Sequence, residues 1–133
     1  MALAAPARLA AERPAAPGAS DDQARTSLQQ AGEAVRLASL HSGSLPGPDR
    51  VIAAIRSALP QHAVRLGNVA TARRGPAGLV TIDRGRDERL LRLYVRGSAG
   101  HLWQTELQAA RGDNFYGEGL LSLVPEAQLS ANR

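Results

Sequence analysis

At 133 residues the chain is long enough for one hydrophobic core but not for two, and with aromatics at only 3% that core has to be built from Leu, Val, Ile and Ala. There is no cysteine and no lysine, so disulfides, thiolate metal sites, a cysteine nucleophile, a Schiff-base lysine and a P-loop lysine are all excluded. All sixteen cations are arginine, and with the abundant Ala, Gly and Pro this is the composition expected of a GC-rich, bacterial genome.

Residues 1–20 are rich in Ala and Pro and carry little apolar bulk, which predicts a disordered tail. Arg8, Glu12 and Arg13 interrupt the apolar core that a secretory signal requires. No stretch has the apolar length of a transmembrane helix, so the chain is expected to be cytoplasmic.

Ser20-Asp21-Asp22-Gln23 spells a helix start, with Ser20 as N-cap, Gln23 at the capping-box position and two acids at the positive end of the dipole. Ala24, Leu28, Ala31, Val35 and Ala38 then recur at spacings of four and three. This predicts an amphipathic helix of about 20 residues, stopped by His41-Ser42-Gly43-Ser44. Gly32 weakens it, and its thin alanine stripe suits either the core or a partner helix. A linker through Pro48 completes a segment over residues 21–48, and a core domain is expected over 49–125.

Asp49 is the expected cap of a second helix, Arg50 to Leu59, closed by Pro60, with Val51, Ile52, Ile55, Ala58 and Leu59 on its buried stripe. Ala63 to Ala72 reads as a first strand, Arg73 to Pro76 as a turn, Leu79 to Asp83 as a strand, and Arg84 to Glu88 as a charged loop. In Arg89 to Arg96, Leu91, Leu93 and Val95 alternate with Leu90, Arg92, Tyr94 and Arg96, which is the period of a half-buried strand. His101 to Ala109 repeats that alternation, and Gly97-Ser98-Ala99-Gly100 between them supplies a hairpin loop. Arg111 to Asn114 reads as a turn, Phe115 to Val124 as a last strand bulged at Gly117 and Gly119, and 126–133 as a tail. The fold class is therefore α+β: two N-terminal helices followed by an antiparallel meander of about five strands.

Charge is unevenly spread. Residues 1–48 balance four arginines with four acids, residues 49–111 carry eleven arginines against five acids, and residues 112–133 one arginine against three acids. The positive excess thus falls on the second helix and the meander, where an arginine-lined sheet face could meet phosphate backbones or an acidic protein. Sheet-type nucleic-acid readers stack bases on exposed aromatics, and only Tyr94 shares the arginine face of its strand.

No catalytic, cofactor or metal motif emerges. His41, His62 and His101 have no spacing that would place two on one metal, and there is no G-x-S-x-G elbow. The glycine pairs at 97/100 and 117/119 lie between or within strands rather than before a helix, so they do not suit a phosphate cradle. Arg111-Gly112-Asp113 is expected to be a hairpin turn. Gly112 to Tyr116 resembles the metal-binding segment of metallophosphoesterases, but the further Asp, Asn-His and His motifs of those enzymes have no counterpart here.

The succession Val64 to Ala70, Leu79 to Asp83, Tyr94 to Gly97 and Leu121 to Pro125 is similar to the small β domains of bacterial secretion-machine periplasmic proteins. That resemblance implies an assembly component. The expected function is a non-catalytic protein–protein interaction module, such as an adaptor, a chaperone-like protein or an assembly subunit. Alternatives are an arginine-rich nucleic-acid-binding domain and a small enzyme with an unrecognised site. The expected partner is another protein, acidic in character, or a second copy. Its expected contacts are an exposed face of Leu90, Arg92, Tyr94 and Arg96, the first helix, and Trp103, which is either core or anchor.

Overall fold

Local signals decide where the elements begin. The computed structural model describes residues 20–42, 45–84, 89–109, 121–125 and 128–129. Helix α1 spans Asp21–Ser42. Its capping box forms as expected: the Ser20 hydroxyl accepts from the Gln23 N–H at 3.1 Å, and the Gln23 side-chain Oε1 accepts from the Ser20 N–H at 3.4 Å. Helix α2 spans Pro48–Ala58, with Gly47 rather than Asp49 as its N-cap. Proline's fixed φ and missing N–H suit the first helical position, which moves the start back and leaves Asp49 inside the first turn.

The expected strand from Ala63 to Ala72 is instead a short strand and a helix. Strand β1 is Val64–Leu66, and helix α3 is Val69–Arg74. The cause is a second capping box, built from Asn68 and Thr71. The Asn68 side-chain oxygen accepts from the Thr71 N–H at 3.0 Å, and the Thr71 hydroxyl accepts from the Asn68 N–H at 2.8 Å. Arg73 and Arg74, expected in a turn, form the last turn of α3, which Gly75 ends.

The remaining strands are β2 (Val80–Asp83), β3 (Leu90–Arg96), β4 (Leu102–Gln108) and β5 (Leu121–Leu123). They lie in one sheet in the order β1-β2-β3-β4-β5. β2 to β5 pair antiparallel, but β1 runs parallel to β2, with Arg65 beside Thr81. The sheet is therefore mixed, not a pure antiparallel meander, because parallel neighbours need a crossover and α3 supplies it. The β3–β4 hairpin matches expectation, placing Leu91 opposite Leu107 and Val95 opposite Trp103. At its turn the Gly97 N–H donates to the His101 carbonyl at 2.9 Å, and Gly100 takes a φ of +98°, which favours glycine.

Two helices cover one face of the sheet. Ala24, Leu28, Ala31 and Val35 of α1 and Val51 and Ile55 of α2 are fully buried against Val80, Ile82, Leu91, Leu93, Val95 and Leu107. The thin stripe of α1 thus packs on the core. On the opposite face α3 buries Val69 and Ala72 against Tyr94, Leu102 and Val124. Among the described residues no helix is long and apolar enough to cross a membrane. The expected tail over residues 1–19, the expected helix stop at Gly43 and Ser44, the expected loop at 85–88, the expected turn at Arg111 to Asn114, the expected strand residues 115–120 with Gly117 and Gly119, and the expected C-terminal tail apart from Gln128 and Leu129 lie outside the described residues.

Candidate interaction surface

Alternation puts Leu90, Arg92, Tyr94 and Arg96 on the α3 side of β3, and the expected exposed patch is not what that side becomes. Tyr94 is 1% exposed, buried with Val69, Ala72, Leu102 and Val124. Its hydroxyl accepts from the Gln128 amide at 3.1 Å, and the same amide lies 3.2 Å from the Gln104 side-chain oxygen. Burial pushes the Tyr94 phenol above its ordinary pKa. The strand pattern could not show this, because the sequence over Ala63 to Ala72 predicts strand where the covering helix α3 forms. Leu90 is half-buried, and Arg92 is paired across the hairpin, its Nε donating to Glu106 Oε1 at 2.9 Å. Glu106 also accepts from the Gln108 amide at 2.8 Å, and these bonds, led by the Gln108 one, hold its carboxyl below the usual range.

Arg96 leads to a different cluster. Its Nε donates to the Gly75 carbonyl at 3.0 Å, at the end of α3. From β1, the Arg65 guanidinium comes within 3.5 Å of where a Cβ on Gly75 would stand. Arg73 and Arg74 occupy the last turn of the same helix. Four arginines therefore gather around one helix C-terminus, and none of them has an ion-pair partner among the described residues. The negative end of α3 favours cations nearby by a few tenths of a kcal/mol to about 1 kcal/mol, which is too little to offset four of them.

Trp103 is half-buried at the margin of the core and is held by the first turn of α1. Its indole N–H donates to Asp21 Oδ1 at 3.2 Å, His101 Nδ1 lies 2.9 Å from Asp21 Oδ2, and the Arg25 guanidinium stacks 5.0 Å above the indole ring. These bonds, the Trp103 one foremost, lower the Asp21 pKa. The sequence assigns Asp21 only to the helix dipole; its second role depends on a residue 82 positions away.

The two helices leave a groove of about 630 Å³ between them, lined by Ala34, Leu37, Ala38, Ala54 and Ala58, with Glu33 and His41 among the polar residues beside them. Glu33 is already bonded to Arg36. The three histidines occupy separate places: His41 by this groove, His62 against the Ser27 hydroxyl, and His101 on Asp21. Among the described residues no three His, Asp or Glu side chains come together as a metal site would need. Comparison with protein-family models, curated proteins and solved structures finds no match to this chain.

Proposed function

We propose that this chain is a non-catalytic protein-binding module, of the kind that serves as an adaptor, a chaperone-like subunit or a component of an assembly such as a secretion-type machine. One observation carries the reading: Arg65, Arg73, Arg74 and Arg96 converge on the end of α3 with no carboxylate among the described residues to meet them. An acidic partner would supply those carboxylates through charge-assisted hydrogen bonds. The same arginines suit phosphates, but single-stranded nucleic acid also calls for a stacking platform. Tyr94 is buried and the Trp103 ring lies under Arg25, so neither described ring offers one.

The test is recovery of the tagged chain from its own host at about 50 mM and about 500 mM salt. The expected result is a co-purifying protein retained at low salt, released at high salt, and lost from the triple variant Arg65→Gln/Arg73→Gln/Arg74→Gln. Repeated recovery of the chain alone at low salt, or of nuclease-sensitive material in place of protein, would refute the reading.

A further inference from the structure

We propose that the acidic partner docks as an extended strand added to the free edge of β1, an inference that rests on the protein-binding reading and specifies how the partner is held. In a parallel pair, alternate residues of one strand bond to the other. Here the Ala63 carbonyl accepts from the Val80 N–H at 3.0 Å, and the Gly67 N–H donates to the Ile82 carbonyl at 2.9 Å. Residues 63, 65 and 67 therefore face β2, and Val64 and Leu66 direct their N–H and C=O groups away from it. Strand β1 is the first in the sheet order, so no described strand lies on that side. An incoming strand finds up to four backbone groups there, the bonding pattern of β-strand addition.

The side chains of the edge set what the strand should contain. Leu66 is 48% exposed on the side where α1 and α2 pack, and suits an apolar neighbour. Arg65 is exposed on the other side, next to the arginines gathered at Gly75. Opposite charges across neighbouring strands stabilise and like charges destabilise, so the guest should alternate acidic and apolar residues. The same rule disfavours a second copy of β1 as the guest, because pairing two such edges would bring arginine against arginine. With only three residues, the edge gives a modest backbone grip, and the arginines provide the selectivity.

The experiment titrates the full chain into a fluorescein-labelled peptide of about eight residues alternating glutamate and valine, read by anisotropy at low salt. Leu66→Pro removes an outward N–H without touching the bonds to β2, and is expected to weaken binding about tenfold. Leu66→Glu keeps the N–H, adds a repelling charge and should weaken binding as well. A peptide N-methylated at alternate residues should also lose binding to the unaltered chain, which keeps the test decisive if a variant fails to fold. If Leu66→Pro and the N-methylated peptide both bind undiminished while the triple arginine variant does not, strand docking is wrong and the protein-binding reading stands. Absence of any peptide binding overturns strand docking alone, since co-purification tests the broader reading. Tighter binding of an oligothymidylate of equal charge overturns both.

Discussion

His62 Nδ1 and the Thr81 hydroxyl are buried without a hydrogen-bond partner among the described residues, and each has a measurable consequence. Burial lowers the His62 pKa, because the imidazolium loses more solvation than the neutral ring. An unfolded histidine takes up its proton near pH 6.5, whereas folded His62 resists until lower pH. Between the two values the unfolded chain binds more protons, so stability is complete above about pH 6.5 and falls as pH drops through the lowered folded value. Urea unfolding at about pH 7 and about pH 5 should show this loss, and His62→Gln should reduce it. For Thr81, replacement by valine keeps the β-branched shape and removes the orphaned hydroxyl, so Thr81→Val should raise stability by about 1 kcal/mol in the same assay. Neither orphan can be found by pattern, since a residue's partners are known only once the surrounding elements are packed.

At the scale of elements, the two capping boxes show what local sequence can and cannot reveal. Ser20 to Gln23 is the familiar Ser-x-x-Gln form, followed by a helical stripe, and it was legible. Asn68 to Thr71 does the same work with threonine as the reciprocal partner, and the Val64/Leu66 alternation before it suggested that the strand continued. Two glycines separate by the same reasoning. A Cβ on Gly32, in the middle of α1, would meet Thr105 Cγ2 at 3.9 Å and Leu107 Cδ2 at 4.0 Å, which are ordinary contacts. Gly32→Ala is therefore expected to stabilise by roughly 0.5–1 kcal/mol in chemical denaturation, through helix propensity and a less flexible unfolded chain. A Cβ on Gly67 would instead collide with the Thr71 hydroxyl that caps α3, and would press on Thr81 Cγ2 at 3.0 Å. Gly67→Ala should destabilise by about 1 kcal/mol or more, with α3 amides losing hydrogen-exchange protection first.

For the whole molecule, α1 is the element whose placement the sequence left open and whose packing now defines one side of the core. Leu28 is fully buried, so Leu28→Ala leaves a cavity and should cost about 3 kcal/mol. That is a large share of a typical stability of about 5–15 kcal/mol, and it should appear as a single transition at lower denaturant. Leu37, 40% exposed at the groove on the other side of the same helix, is the matched contrast. Leu37→Glu should shift stability by no more than about 0.5 kcal/mol, and a larger loss would show that the groove is closed in solution.

By itself the sequence determined the composition of the core, the exclusive use of arginine, the excess of positive charge over residues 49–111, the ends of α1 and the β3–β4 hairpin. Each follows from composition or from rules acting over two to four residues: side-chain alternation, reciprocal caps and glycine turns. Tertiary structure decided that β1 runs parallel to β2, that Tyr94 is interior, that Asp21 holds Trp103, and that Arg65 and Arg96 reach Gly75 beside Arg73 and Arg74. Those facts depend on which surfaces cover one another across tens of residues. A period of two places Arg92 and Tyr94 on the same face, but the hairpin register pairs Arg92 with Glu106 while the packing of α3 makes Tyr94 part of the core.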